Sequence, residues 1–205
     1  TGGGVFTTED GGQNWTQQGT AFTRQHMNGV TALSDSAAWV FGDGAAFLTR
    51  DAGQTWSGSD TISLPGFRYG YALSESRIIG AGSQGQVMLS EDGGQSWQTQ
   101  VLSARGQIEQ IVFVDDLNGW LAGAHGTLAR TSDGGTTWME LDAGVTHDFN
   151  GISAVSASQA WVAGIEGRIF HTSDGGLNWT EQNTPINTNL QTICFVDAQR
   201  GWAGG

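Results

Sequence analysis

Thr8-Glu9-Asp10-Gly11-Gly12-Gln13-Asn14-Trp15 returns four more times along the chain. The copies are Thr49-Arg50-Asp51-Ala52-Gly53-Gln54-Thr55-Trp56, Ser90-Glu91-Asp92-Gly93-Gly94-Gln95-Ser96-Trp97, Thr131-Ser132-Asp133-Gly134-Gly135-Thr136-Thr137-Trp138 and Thr172-Ser173-Asp174-Gly175-Gly176-Leu177-Asn178-Trp179. The step between aspartates is 41 residues throughout, and five steps account for all 205 residues. A fixed period of this size marks a repeat architecture, in which each copy buries its apolar face against its neighbours. A second Trp recurs between the octapeptides at Trp39, Trp120, Trp161 and Trp202, with Ile79 in the remaining copy. The two sets make up all nine Trp residues, so the Trp content belongs to the scaffold.

One copy reads as four short strands. Gly151–Val155 is a first strand, Trp161–Ala163 a second, Arg168–His171 a third, and Trp179–Gln182 a fourth beyond the octapeptide. Such β-prone runs, separated by Gly, Asp, Asn and Ser, predict antiparallel hairpins. Four strands per repeat of roughly 40–45 residues predict an all-β, five-bladed propeller over residues 1–205. First and second strands are apolar, as in Ile111–Val114, whereas fourth strands are polar, as in Gln98–Gln100. That gradient places the first strands inside and the fourth strands at the outer rim. The Trp-to-Asp step between Trp120 and Asp133 is 13 residues, and running from Trp202 through the end of the chain to Asp10 gives the same 13. One blade is therefore expected to be shared by both termini, the strands of 1–20 completing it with 187–205.

The octapeptide chemistry predicts a turn. Asp accepts hydrogen bonds from nearby backbone N–H groups. The Ser or Thr two positions earlier donates its hydroxyl to that carboxylate. Gly permits positive φ, and the Trp folds over the turn. Asp10, Asp51, Asp92, Asp133 and Asp174 occupy separate blades, so they read as structural residues and not as metal ligands or catalytic acids. Asp35, Asp115, Asp116 and Asp197 read as turn formers on the same face.

Composition narrows the function. Eight Arg and no Lys stand against twenty acidic residues, a net charge of −12. This excess argues against nucleic acid and anionic membrane surfaces as partners. No run of 18 apolar residues is present, so no membrane insertion is expected. Cys194 lies among Ile193, Phe195 and Val196 and is expected to be a buried small side chain. The chain begins at Thr1 and shows no signal peptide, so a mature or trimmed form is expected, with an extracytoplasmic setting (periplasm, thylakoid lumen or secretion) favoured. No cofactor or metal is expected, and the chain is expected to be a monomer.

The octapeptide resembles the Asp box, or bacterial neuraminidase repeat, found in sialidases, xyloglucan-degrading propellers and sortilin-type receptors. The longer run from Phe113 through Gly119-Trp120, Gly123, Gly126 and Thr131 to Trp138 resembles the photosystem II stability/assembly factor-like family, as does Phe195-Val-Asp-Ala-Gln-Arg-Gly201-Trp202. The resemblance covers the whole chain. It implies a non-enzymatic propeller that binds a protein partner; photosynthetic members bind a photosystem core protein during assembly, helped by an arginine-rich patch. Family members are usually seven-bladed, whereas this chain has five repeats.

Propellers usually bind partners on the face opposite the Asp boxes. Loops from fourth to first strands place Arg24, Gln25, His26, Arg68, Tyr69, Arg105, His147, Asp148, Asn187 and Asn189 there. Turns from second to third strands add Asp43, Gln84, His125 and Glu166. These loops differ between copies while the scaffold repeats, and binding requires such asymmetry. Tyr69 beside Arg68 is the leading contact pair. Carbohydrate is the other partner class left open. A sialidase-like or xyloglucanase-like glycoside hydrolase needs two carboxylates about 5–10 Å apart; Asp148 and Glu166, with Arg24, Arg68, Arg105 and Tyr69, are the residues it could recruit. The equal repeats and complementary ends also fit an engineered or evolutionary model propeller without an assigned ligand, although the blades are too divergent for a simple concatemer.

Overall fold

A computed structural model describes residues 4–18, 26–59, 62 and 66–205. The architecture is all-β, with sheets of four antiparallel strands in chain order. A hairpin of β1 (Val5–Thr7) and β2 (Thr16–Gln18) comes first. One sheet follows from β3 (Met27–Ala32), β4 (Ala38–Gly42), β5 (Ala45–Thr49) and β6 (Ser57–Ser59), and another from β7 (Tyr69–Ala72), β8 (Ile78–Ala81), β9 (Gln86–Ser90) and β10 (Gln98–Val101). A third contains β11 (Ile108–Phe113), β12 (Gly119–Gly123), β13 (Leu128–Thr131) and β14 (Met139–Glu140). The fourth contains β15 (Phe149–Ala154), β16 (Ala160–Gly164), β17 (Ile169–Thr172) and β18 (Thr180–Gln182). The last hairpin is β19 (Thr192–Phe195) with β20 (Gly201–Gly204). By repeat position β19 and β20 are first and second strands, and β1 and β2 are third and fourth.

The chain divides into two compact units, residues 1–82 with 88–98, and residues 83–87 with 99–205. In the first, Trp39, Phe41, Ala46, Leu48, Phe67, Ala72, Ile78 and Met88 form a buried cluster. In the second, Trp120, Ala122, Leu128, Phe149, Ile152, Ala160, Val162 and Phe170 do the same work. Trp120 meets Trp179 edge-on at 6.3 Å, and Phe149 meets Phe170 likewise at 5.8 Å. The polarity gradient follows from this packing: β12 and β16 are buried along their whole length, while β18 is exposed along its whole length. Ile79 is fully buried in its place as the substitute for a Trp.

Side-chain hydrogen bonds tie one blade to the next. Ile152 N donates to Gln110 Oε1 at 2.9 Å, and Phe195 N donates to Ser153 Oγ at 2.9 Å. Farther out, Gln100 exchanges two bonds with the Trp138 backbone, at 2.8 and 3.0 Å. Three first strands, β3, β11 and β15, carry an irregularity near their start, between Phe149 and Gly151 in the fourth sheet. There the backbone crowds β16: a Cβ on Gly164 would stand 1.9 Å from Asp148 O, so only glycine fits.

Every Asp box repeats one hydrogen-bond set. Thr131 Oγ1 donates to Asp133 Oδ1 at 2.7 Å and accepts from Gly135 N at 2.9 Å. Asp133 Oδ1 also accepts from Thr137 N at 2.9 Å, and Oδ2 from Thr137 Oγ1 at 2.7 Å. Asn14, Thr55, Ser96 and Asn178 bond to Asp10, Asp51, Asp92 and Asp174 in the same way. The polar residue four positions after Asp is thus an integral part of the box. The Trp lid varies: Trp56 and Trp97 donate to Gly53 O and Gly94 O at 3.0 and 3.1 Å, whereas Trp15 is exposed.

Cys194 departs from expectation, being exposed. Its side chain lies on the same side of β19 as that of Trp202 on β20, its register partner. Trp202 is exposed too.

Candidate protein-binding face

The turns joining second to third strands carry the sharpest backbone feature of the molecule. Gln84, His125 and Glu166 occupy equivalent positions in the second unit, with φ of 59°, 57° and 58°, and each is followed by a glycine at φ of 70°, 72° and 71°. Two successive left-handed residues close a tight hairpin. The first of them carries a side chain in a conformation uncommon for non-glycine residues, which holds it at the tip of the turn. His125 and Glu166 are exposed there.

Neighbouring loops clamp these turns. His125 N donates to Asp148 Oδ1 at 2.8 Å, and Gly126 N to His147 O at 2.8 Å. One blade on, Glu166 N donates to Asn189 Oδ1 at 3.1 Å. Gly85 N donates to Gly106 O at 2.7 Å. Asp148 and Asn189, expected as contact residues, thus cap turns. The side chains of His125 and Glu166 stand exposed at the turn tips.

Beside Glu166 lies a charged group that the sequence did not single out. Arg168 donates from Nε to Glu181 Oε1 at 2.6 Å and from Nη2 to Oε2 at 2.9 Å, a forked pair. Its Nη1 lies 2.7 Å from His147 Nε2, and the guanidinium sits 5.2 Å from the Phe170 ring centroid. His147 Nε2 lies 3.9 Å from Glu166 Oε2. The bonds between them raise the pKa of Arg168 above its ordinary value and lower that of Glu181. Arg168 directly precedes β17, two positions after the turn tip Glu166, and Glu181 lies on β18, so the pair joins a turn end to a fourth strand and no local motif signals it. Arg105, at φ of 50°, is exposed at a loop corner of the same unit.

In the first unit, Asn28 Nδ2 donates to Asp43 Oδ1 at 2.8 Å and to Arg68 O at 3.3 Å, and Arg68 Nε stands 3.8 Å from Asp43 Oδ1. Tyr69 is half-buried at the start of β7, and His26 is exposed with its carbonyl accepting from Asp43 N at 3.1 Å. The structure therefore places His26, Arg68 and Tyr69 in one unit, and Arg105, His125, His147, Asp148 and Glu166 in the other. Arg24 lies outside the described residues. Among the described residues, no three His, Cys, Asp or Glu side chains are grouped to hold a metal ion.

Four-stranded blades in sequence order, Asp-box turns on one face and unlike turn tips on the other define an Asp-box β-propeller. The chain belongs to the photosynthesis system II assembly factor YCF48 family, whose profile matches residues 1–112 and 102–184. Among solved structures, it is similar to YCF48 from Cyanidioschyzon merolae, with a TM-score of 0.76 and 20% identity over 98% of this chain and 70% of that one. A YCF48 bound to D1 peptide matches at 19% identity over 98% of this chain and 83% of that one, with a TM-score of 0.49. The GH74 enzyme of Niastella koreensis shares the fold with a TM-score of 0.71 and 17% identity over 94% of this chain, which spans 38% of that enzyme. No protein of curated function matches the sequence.

Proposed function

We propose that this chain is a non-enzymatic binding module that holds a segment of a protein partner against its turn-tip face, as an assembly factor would. Membership of the assembly-factor family carries the reading. It is supported by the strained tips at Gln84, His125 and Glu166, which hold unlike side chains outward at equivalent positions of one scaffold. The acid–base alternative draws less support, because Asp148 is engaged by the His125 amide and Glu166 faces His147.

The test is calorimetric titration with overlapping peptides tiled along D1, the partner carried by a related YCF48. Saturable binding that weakens about tenfold in a His125→Ala, Glu166→Ala double variant, with an unchanged melting temperature, is the expected result. Absence of binding by every peptide would remove D1 as the partner. Hydrolysis of xyloglucan oligosaccharides or fluorogenic sialosides would overturn the non-enzymatic reading.

A further inference from the structure

Side chains of one blade cover the Asp box of the next. In the second unit, the glycines of the fifth box lie under the preceding sheet. A Cβ on Gly175 would stand 2.1 Å from Arg130 Nη1, and one on Gly176 would stand 2.6 Å from Leu141 Cδ1. In the first unit, Gln18 covers Gly53, its Cγ 3.0 Å from where a Cβ would be. Gly53, Gly135 and Gly176 are accordingly buried, whereas Gly94, their counterpart in the third box, is half-buried.

The third box lacks that cover among the described residues. A Cβ on Gly93 would meet only Glu75 O at 3.5 Å, and one on Gly94 only Ile78 Cδ1 and Trp97 Cζ2 at 3.6 Å, all from the box's own blade. The residues of the preceding blade differ accordingly. Leu48 stands opposite Trp39 as Arg130 stands opposite Trp120, and the counterpart of Gln18 and Leu141 is a serine, Ser59. What remains is a crevice of about 610 Å3 inside the first unit. It is lined by the buried Trp39, Ala46 and Leu48, by Ile62, and by the exposed Arg50 and Asp92. A mostly apolar lining with a few polar groups, at this volume, is the form of a ligand site.

The charges at its edge favour a cation. Arg50 is already paired with Glu75 at 2.7 Å. The Asp92 carboxylate accepts only from hydroxyls and amides of Ser90, Gln95 and Ser96, and no described arginine pairs with it. In the second unit, Arg130 pairs in register with Met139, and Leu141 N donates to Leu128 O, so Arg130 and Leu141 are diagonal neighbours. Such neighbours stand about 7–8 Å apart. Side chains two positions apart on one extended segment are spaced by about 7 Å and share a face.

We propose that this crevice is a second binding site, which takes an extended segment of a protein partner carrying Leu and Arg two positions apart. These fill the places that Leu141 and Arg130 fill in the second unit. The leucine covers Gly94, and the guanidinium lies over Gly93 beside the Asp92 carboxylate. The site is on the Asp-box side, and so is distinct from the turn-tip face.

NMR titration of the 15N-labelled 205-residue chain with acetyl-Gly-Leu-Ser-Arg-Gly-amide, and with the counterpart in which Leu and Arg exchange places, tests this. Saturable shifts of the Gly93, Gly94 and Gln95 amides are expected with one of the two by about 5 mM. Replacing Arg by Glu in that peptide should weaken binding about tenfold or more. Ser59→Leu, which installs the residue of the Leu141 position, should abolish binding while amide peaks away from the crevice stay in place. The His125→Ala, Glu166→Ala variant should bind as the wild type does. The proposal would be overturned by no saturable shift with either peptide, by equal binding of the Glu peptide, or by undiminished binding to Ser59→Leu. Loss of binding in the His125→Ala, Glu166→Ala variant would put the contact on the turn-tip face and overturn it as well.

Discussion

Asp148 and His125 are joined by a 2.8 Å hydrogen bond from the His125 amide to the Asp148 carboxylate, and Asn189 repeats that bond to Glu166 one blade further on. The paired use of Asp and Asn shows that an acceptor oxygen is required here, while its charge is not. Asp148→Asn should therefore leave stability within about 0.5 kcal/mol of the wild type, while Asp148→Ala should cost about 1 kcal/mol by leaving the turn amide without its partner. Urea unfolding of both variants checks this. Equal losses in the two would mean that the carboxylate acts through its charge.

The fourth Asp box provides a graded test. Asp133 receives a hydroxyl and an amide on one oxygen and a second hydroxyl on the other. Asp133→Ala should cost about 1–3 kcal/mol and Thr137→Ala, which keeps the amide bond, about 0.5–1.5 kcal/mol. The order of the two urea midpoints is the measurement; a Thr137 loss as large as that of Asp133 would contradict it.

Acid should dismantle the boxes together. Backbone and side-chain bonds from the residue four positions on, helped by the box Ser or Thr, hold the carboxyl pKa of Asp10, Asp92 and Asp174 at about 2, below the ordinary 3.8. A depressed carboxyl pKa stabilises the fold fully above the unfolded value, and this contribution is lost as pH falls through the folded value. Melting temperature should accordingly decline from near pH 4 toward pH 2. A flat profile over that window would rule out the linkage.

His171 should act higher on the pH scale. It stacks on Trp161 at 4.5 Å, and burial lowers its pKa below 6.5. Protonation is thus easier in the unfolded chain, so stability should start to fall as pH drops below 6.5 and continue to do so until the folded-state pKa is passed. His171→Phe should flatten the slope between pH 6.5 and 5 in thermal melts, and an unchanged slope would place its origin elsewhere.

The repeat made strand order, Asp-box turns and the polarity gradient legible in the sequence, because each follows from local chemistry that recurs every 41 residues. The bond from Thr131 to Asp133 is an example, since both partners lie within one octapeptide. The face opposite was legible only as a set of loops. The bond from the His125 amide to Asp148 could not be read from the sequence, because the two lie 23 positions apart in neighbouring turns. Arg168 was obscured because its role depends on Glu181 on β18 and on His147 in the loop before β15. Cys194 is exposed, and its apolar sequence neighbours carry no sign of that.

The reach of the Asp-box bonds bears on how the chain acquires its shape. In the fourth box, Thr131, Asp133, Gly135 and Thr137 meet across two to four positions. Contacts this close in sequence cost little chain entropy and form on the timescale of a hairpin, about 1–10 μs. Bonds from one blade to the next span roughly one repeat, as in the 42 positions between Ile152 and Gln110. A blade emerging during synthesis can therefore close its own turns first and only then dock on the blade already made, as the fourth sheet does on the third through Ile152 and Gln110.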